Sequence, residues 1–172
     1  KMDYASITNL ELIKNDQNKD LSLYSFLNRT ATTMGARKLK DDLLQPMVNL
    51  EDIIKTQNQI EVFIQNFIMA DTLKDILKET YDIHRVVARV STDKNNAQDF
   101  VRLKQTLLKF KEIQSHLKAQ DNFSFINALD PLIEVYEALE QAIYDDAPVQ
   151  FKDGRTFKKG INTELDELLT LT

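Results

Sequence analysis

The chain has 172 residues with 42% hydrophobic and 28% charged content, which is sufficient for one folded domain with a core. A formal net charge of −5 disfavours broad binding to a phosphate backbone, which normally relies on clustered lysine and arginine. The lack of cysteine excludes disulfides and thiolate zinc sites, and no apolar run reaches the roughly 18 residues that cross a bilayer. Three glycines and three prolines are few, so we expect long helices.

The N-terminal part of the chain predicts an entry segment, a loop and a first helix. Residues 2–12 mix apolar and polar residues without a firm period, which we interpret as an extended or short-strand segment. Residues 14–20 are polar throughout and predict a loop. Apolar residues between positions 21 and 27 then predict one face of a helix that ends at Asn28 and Arg29.

A threonine-rich corner separates this helix from the next. The hydroxyls of Thr30, Thr32 and Thr33 can each cap a helix by accepting a hydrogen bond from a backbone N–H. The following helix is expected to end before Pro46, which lacks an amide donor and disfavours helix in the residue before it. Gly35 lies at the start of that helix, where a glycine costs about 1 kcal/mol relative to alanine. We therefore expect another backbone to pass close to Gly35.

Three helices are predicted in the middle of the chain. Asn49 is a good N-cap for a helix from residue 50 to about residue 66, whose apolar residues recur three and four apart. Asp71 is predicted to cap the next helix. Residues 82–90 predict a short helix that carries two arginines one turn apart on a common face, Arg85 and Arg89.

Two long helices are predicted next. Residues 97–117 carry the clearest helical stripe in the chain. Residues 125–143 predict a second long helix, packed antiparallel to the first across a polar turn at residues 119–122. Pro131 could instead be the first residue of that second helix.

The C-terminal part predicts a hairpin and a final helix. Val149 and Phe151, followed by the turn dipeptide Asp153-Gly154, indicate a β-hairpin within residues 147–157. Asn162 or Thr163 is expected to cap a helix over residues 164–171. The predicted fold class is therefore mainly α: a multi-helix bundle with long antiparallel helices and a small β-hairpin near the C-terminus.

The sequence offers no candidate catalytic, cofactor-binding or metal-binding residues. His84 and His116 are far apart and have no cysteine beside them. The carboxylate pairs at 41–42 and 145–146 lack an accompanying acid, base or ligand, and glutamates at 134, 137 and 140 predict a solvated helix face. The isolated glycines form neither a P-loop nor a dinucleotide fingerprint. Basic residues at 37–40 and 152–159 are offset by nearby acids, so we interpret them as solvated surface.

Several ordered motifs carry a family resemblance. Leu27-Asn28-Arg29-Thr30, Thr32-x-Met34-Gly35-x-Arg37-x-Leu39 and Leu43-Leu44-Gln45-Pro46 resemble the pattern L-D-x-T-x-T-x-M-G-x-R-x-L followed by W-L-x-x-P-L, which opens the core (lever) domain, domain III, of the MutS DNA mismatch-repair family. Tyr81-Asp82-x-x-Arg85, Ala88-Arg89-Val90-Ser91 and Lys158-x-Gly160-x-Asn162-x-x-Leu165-Asp166-x-Leu168 resemble later segments of that domain. Asp42 stands where the family usually has tryptophan, and Asn28 where it usually has aspartate.

The resemblance implies that residues 1–172 are the N-terminal section of a MutS-like core domain and a fragment of a larger chain. Such a section is non-catalytic and transmits conformational change between a DNA clamp and an ATPase domain outside this chain. It would hold no cofactor itself, whereas the parent protein would bind ATP and Mg. The implied partners are mismatched or distorted duplex DNA through other domains, a second subunit in a dimer, and a MutL-like protein, with no membrane. The implied location is intracellular, in the cytoplasm or nucleoid of a bacterium.

Five residues are predicted to serve this transmission. Gly35 and Ala36 would allow close helix packing, and Arg37, Arg85 and Arg89 would tie elements together by charged hydrogen bonds. DNA-binding residues are not assigned. Two alternatives remain open: a freestanding helical protein-interaction module, or a divergent MutS-like paralogue that acts on other DNA structures, as the substitution at Asp42 would allow.

Overall fold

The structure is a computed structural model that describes residues 2–14, 21–150 and 155–170. These residues form nine α-helices and one 3-10 helix, so the expectation of a mainly α fold is confirmed. The chain divides into two compact units. Unit 1 comprises Lys1–Lys78 and Gln120–Phe123, and unit 2 comprises Glu79–Ala119 and Ser124–Thr172.

Unit 1 begins with a helix where the sequence suggested an extended segment. Helix α1 spans Tyr4–Asn9, and the prediction of a short strand there is wrong. Asp3 explains the difference, because its carboxylate accepts the backbone N–H of Ser6 at 2.7 Å and so caps the helix. Most of the predicted polar loop, residues 15–20, lies outside the described residues.

The threonine corner folds largely as predicted. Helix α2 spans Leu23–Leu27 and helix α3 spans Thr33–Leu44, which ends before Pro46. Of the three candidate threonines, Thr32 caps α3, with its hydroxyl accepting the N–H of Gly35 at 3.0 Å. The N–H of Tyr24 donates to the carbonyl of Leu12 at 2.8 Å, which ties α2 to the chain that follows α1.

Helices α4 and α5 are the next two helices of unit 1. Helix α4 spans Leu50–Gln65 behind the predicted Asn49 cap. Helix α5 spans Phe67–Lys78, so the prediction that Asp71 caps it is wrong. The Asn66 side chain takes that position instead and accepts the N–H of Met69 at 3.2 Å. The buried residues of α5 are Met69, Leu73 and Ile76.

Unit 2 is organised around its longest helix. Helix α6 spans Ile83–Val90, and helix α7 spans Ala97–Leu117 with both ends as predicted. Helix α8 spans Ile133–Ala142. Ala97 and Val101 near the start of α7 pack with Ile143 and Ala147 just after α8, which is the arrangement of an antiparallel pair.

The prediction of one continuous helix over residues 125–143 is wrong. Asp121–Ala128 forms a 3-10 helix, and α8 begins only at Ile133. Pro131 has no N–H to donate, and Leu132 adopts a left-handed conformation with φ of 52°. The carboxylate of Asp130 accepts the N–H of Leu132 at 2.8 Å, which stabilises this turn. The alternative start at Pro131 was therefore the closer prediction.

The predicted small β-hairpin is not found in the described part of the chain, which contains no sheet. Its turn dipeptide and Phe151 lie among residues 151–154, outside the described residues. An isolated antiparallel bridge joins Ile143 to Phe157 instead. The pairing therefore begins immediately after α8, where the buried side chain of Ile143 contributes to the core. Helix α9 spans Thr163–Thr170, and Asn162 caps it by accepting the N–H of Leu165 at 3.1 Å.

Candidate functional site

The turn after α6 directs an arginine of that helix towards α7. Asp93 adopts a left-handed conformation with φ of 53°. The N–H of Lys94 donates to the carbonyl of Arg89 at 2.9 Å, and the N–H of Asp93 donates to that of Val90 at 3.2 Å. These two bonds make a Schellman motif, which satisfies carbonyls that a helix end leaves unpaired. The carbonyl of Lys94 then accepts a hydrogen bond from Arg89 Nε at 3.2 Å, which holds the arginine side chain.

Asp99 connects this arginine to α7. Asp99 Oδ2 accepts the N–H of Asn96 at 2.9 Å, and Asn96 Oδ1 accepts the N–H of Asp99 at 3.0 Å, which completes a capping box. Arg89 Nε lies 3.1 Å from the same Asp99 Oδ2. The Asp99 side chain is only 3% exposed, so the end of α6 and the start of α7 share one buried carboxylate.

A buried lysine connects α7 to α8 and to the loop that follows α8. Lys104 Nζ lies 2.7 Å from Glu140 Oε2 and donates to Asp145 Oδ1. The lysine side chain is 5% exposed, whereas the two acidic side chains are 44% and 74% exposed. The ammonium group is therefore removed from solvent while both carboxylates remain partly hydrated.

The pKa values of these groups show how strongly they interact. Burial alone lowers the pKa of Lys104, but hydrogen bonds with Asp145 and Glu140 outweigh burial and raise the pKa above its usual 10.5. The hydrogen bond from Lys104 holds the pKa of Glu140 below 4.5 and the pKa of Asp145 below 3.8. All three groups are therefore charged at neutral pH.

Glu140 also connects α8 to the segment that precedes α9. Lys158 Nζ donates to the backbone carbonyl of Glu140 and lies 3.6 Å from Glu140 Oε1. The backbone N–H of Lys158 donates to the carbonyl of Ala142 at 2.8 Å, next to the Ile143–Phe157 bridge. We call Lys104, Glu140, Asp145 and Lys158 the charged cluster. It joins α7, α8 and the segment that leads into α9.

Among the predicted transmission arginines, Arg89 lies in a charged network that joins two helices. Arg85 is exposed, and its side chain forms no ion pair with any other residue in ranges 2–14, 21–150 and 155–170. The role of Arg85 in tying elements together stays a prediction. Arg37 is exposed in the first turns of α3.

The two small residues predicted to allow close packing lie at the start of α3. A β-carbon on Gly35 would lie 3.2 Å from Thr32 Oγ1 and 3.3 Å from Thr30 Cβ. The nearest described atoms are thus side-chain atoms of the threonine corner. The expectation of a second backbone close to Gly35 stays a prediction. Glycine fits here because the capping hydroxyl occupies the adjacent space. Ala36 is half-buried in the same turn.

The charged cluster does not follow from the sequence pattern. The spacing of the glutamates at 134, 137 and 140 predicts a solvated helix face, and Glu134 and Glu137 are exposed. Glu140 is partly exposed too, but it also pairs with Lys104, which the spacing does not indicate. Asp145 was interpreted as lacking a partner, whereas it pairs with Lys104, 41 residues away. One signal was present: Lys104 follows Phe100 by four residues and precedes Leu107 by three, so it occupies the apolar stripe of α7.

Histidines and carboxylates outside the charged cluster form no candidate site in the part of the chain that the structure describes. His84 and His116 are both exposed. No group of three or more histidine, aspartate or glutamate side chains that could hold a metal ion occurs there. None of the described helices is both long and apolar enough to cross a membrane.

The geometry of unit 2 is thus that of helices joined by buried charged contacts, and comparison with known proteins assigns the family. A family model described as MutS domain III matches residues 5–170. The chain belongs to the MutS family. The resemblance expected from the motifs around Gly35, Arg85 and Gly160 is therefore confirmed, and these helices are those of a MutS domain III.

Curated relatives match the MutS domain III sequence along nearly all of its length. The DNA mismatch repair protein MutS of Clostridium tetani is 38% identical over 172 residues, covering 97% of this chain and 20% of that protein. The proteins of the same name from Staphylococcus haemolyticus and Staphylococcus epidermidis are 36% and 37% identical, each covering 98% of this chain and 20% of the relative. The chain spans about a fifth of the length of these curated relatives.

Proposed function

We propose that residues 1–172 are the N-terminal section of the core domain of a MutS-like mismatch-repair protein. In this proposal the section is non-catalytic and transmits conformational change between a DNA clamp and an ATPase domain outside this chain. The observation that carries the proposal is the charged cluster, because it joins the long helix α7, through α8, to the segment that leads into α9. Membership of the MutS family and the similarity to DNA mismatch repair proteins support the repair context.

Transmission needs elements that move together rather than independently. The carboxylate of Asp99 couples α6 to α7. Its Oδ2 atom contacts Arg89 of α6 and also completes the capping box of α7, so a displacement of Arg89 would disturb the start of α7. Charge-assisted hydrogen bonds of this kind have fixed geometry and are stronger than neutral ones, so they resist separation of the joined helices.

The second half of the path leads from α7 to α9. Lys104 holds Glu140, and Glu140 in turn holds Lys158, which lies five residues before the start of α9. The antiparallel bridge between Ile143 and Phe157 links the same two segments through the backbone. A displacement of α9 would therefore be transmitted to α7 through side-chain contacts and through backbone contacts. Two distant sites are coupled in this way when each of them shifts the same packed elements between two arrangements.

The proposal includes the properties of the parent protein. ATP and Mg would bind in a downstream ATPase domain, and mismatched or distorted duplex DNA would be bound by other domains. The parent would form a dimer with a second subunit and would act inside the cell. A MutL-like protein would be a further partner. Sequencing the parent reading frame tests the first point directly: a G-x-x-x-x-G-K-[ST] loop downstream supports it, and a reading frame without such a loop contradicts it.

The transmission role is tested by Lys104→Met in the full-length protein. This change removes the ammonium but keeps an apolar side chain of similar length in a buried position. We expect mismatched-duplex affinity and basal ATPase activity to remain unchanged, and the stimulation of ATPase activity by DNA to fall about fivefold. Stopped-flow measurement of ATP-induced release from a labelled duplex would report the same loss of coupling.

A matched control is Lys111→Met, which alters an exposed lysine of the same helix. It should leave both the ATPase stimulation and the release rate as in the unaltered protein. Equal stimulation in Lys104→Met and Lys111→Met proteins, both shown to be folded by circular dichroism, would overturn the transmission role.

A further inference from the structure

Unit 1 contains a pocket of about 320 Å³ that the transmission role does not use. It lies between α1, the chain just after α1, and the last turns of α3. Its volume is at the lower end of the range of small-ligand pockets, and it is large enough for one bulky side chain.

The lining of the pocket combines an aliphatic interior with a cationic edge. Ile7, Ile13 and Leu44 are half-buried, and Tyr4 is 83% exposed. The hydroxyl of Thr8 donates its hydrogen to the carbonyl of Tyr4 at 2.9 Å, so that hydrogen is already used within α1. Two lysines, each of which carries an ammonium group, also line the pocket.

Those two ammonium groups belong to Lys14 and Lys40, both exposed. Neither lysine forms an ion pair or side-chain hydrogen bond with another residue in the described parts of the chain. Lys38 in the same helix differs, because it pairs with Asp42. Two lysines that have no ion-pair partner among residues 2–14, 21–150 and 155–170 thus lie beside an apolar pocket. Such a surface is complementary to an apolar group flanked by negative charge.

We propose that this pocket binds an acidic segment of a partner protein. An aromatic or large aliphatic side chain of the segment enters the space between Ile7, Ile13 and Leu44. Carboxylates on either side of that residue contact Lys14 and Lys40. The exposed ring of Tyr4 covers the entering side chain. This inference concerns unit 1 and does not depend on the transmission role of unit 2.

A nucleic acid fits the same lining less well. Single-stranded nucleic acids are held by successive aromatic stacking platforms along a basic groove, and Tyr4 is the aromatic residue that lines this pocket. An aliphatic interior also offers no donors or acceptors to a base edge. The formal net charge of −5 further disfavours a polyanion that would follow the surface.

The test is a binding measurement on the 172-residue chain with a defined peptide. The probe is a blocked five-residue peptide with a central phenylalanine and two aspartates on each side. Its reference is the same peptide with asparagines in place of the aspartates. We expect NMR shift changes at the amides of Thr8, Lys40 and Leu44, with the aspartate peptide binding about fivefold more tightly than the reference at low salt.

Variants distinguish the pocket from general charge attraction. The double change Lys14→Gln and Lys40→Gln should abolish the difference between the two peptides. The double change Lys55→Gln and Lys111→Gln, which alters two exposed lysines outside the pocket, should preserve it. Equal binding of both peptides, equal loss in both double variants, or tighter binding of a short oligothymidylate than of the aspartate peptide would overturn the proposal.

Discussion

Arg89 Nε lies 3.1 Å from Asp99 Oδ2, the same oxygen that accepts the backbone N–H of Asn96 at 2.9 Å. One carboxylate oxygen thus completes the capping box of α7 and pairs with an arginine from α6. Because the Asp99 side chain is almost completely buried, both partners are needed to compensate for its lost hydration. The α6–α7 junction therefore depends on this pair.

A double-mutant cycle on Arg89 and Asp99 should reveal the coupling. We expect Asp99→Ala to lower the free energy of unfolding by about 2 kcal/mol, since it removes a cap and leaves Arg89 without its partner. Arg89→Ala should cost less, and the cycle should give a coupling energy of about 1 kcal/mol. Urea denaturation of the four proteins measures these values. Strict additivity of the two changes would show that the pair contributes no coupling.

The charged cluster should make stability depend on pH on both sides of neutrality. The pKa values of Glu140 and Asp145 are lowered by folding, so their stabilisation is present above the unfolded values of 4.5 and 3.8 and is lost as pH falls through the folded values. The pKa of Lys104 is raised, so its stabilisation is complete below 10.5 and is lost as pH rises through the folded value.

Lys104→Met tests this dependence. The free energy of unfolding of the variant should change less than that of the unaltered chain between about pH 5 and about pH 3. Carboxyl NMR titration should show the pKa values of Glu140 and Asp145 rising in the variant, whereas Lys111→Met should leave them unchanged. Unaltered carboxyl pKa values in Lys104→Met would contradict the assigned ion pairs.

Two buried threonines provide a matched comparison. The Thr156 hydroxyl has no hydrogen-bond partner among the described residues, whereas the Thr106 hydroxyl donates to the carbonyl of Arg102 at 2.8 Å and accepts the N–H of Tyr81 at 3.0 Å. Replacing an unpaired buried hydroxyl by a methyl group removes a desolvation cost. Thr156→Val should therefore raise the free energy of unfolding by about 1 kcal/mol, and Thr106→Val should lower it by about 1–2 kcal/mol. Thermal or urea unfolding would detect opposite signs, and equal signs would contradict the assignment.

The Schellman turn after α6 should be improved by glycine. Asp93 is exposed and holds a left-handed conformation that glycine adopts without steric cost. We expect Asp93→Gly to raise the free energy of unfolding by about 1 kcal/mol and Asp93→Val to lower it. A stabilising effect of Asp93→Val in urea denaturation would be inconsistent with the described turn.

The space beside Gly35 should not accept a branched side chain. A β-carbon there already lies within close contact of Thr32 Oγ1 and Thr30 Cβ, and valine adds two methyl groups. Gly35→Val should lower the free energy of unfolding by about 1–3 kcal/mol, because the capping hydroxyl must shift. Thr33→Val, an exposed position of the same helix, serves as the control and should have a smaller effect. Comparable losses in both variants would indicate that helix propensity alone is responsible.

Several elements could be predicted from the sequence because their determinants lie within one helical turn. The bounds of α7, the cap of Asn49 on α4 and the cap of Thr32 on α3 follow from apolar spacing and from side chains that reach an N–H two or three residues ahead. The family assignment also rested on ordered local motifs. The determinant of α1 is local as well, because the carboxylate of Asp3 caps that helix.

The partners of Lys104 were decided only by tertiary structure. A lysine in an apolar stripe signals that a negative charge is needed, but the sequence does not specify which acid supplies it. The break at Leu132 shortens α8, and the antiparallel packing of its end on the start of α7 brings Glu140 and Asp145 to Lys104. Such contacts depend on loop closure over tens of residues, whereas caps depend on the preferences of a single turn. The sequence by itself therefore determined the family and most helices, and the folded chain determined how unit 2 is held together.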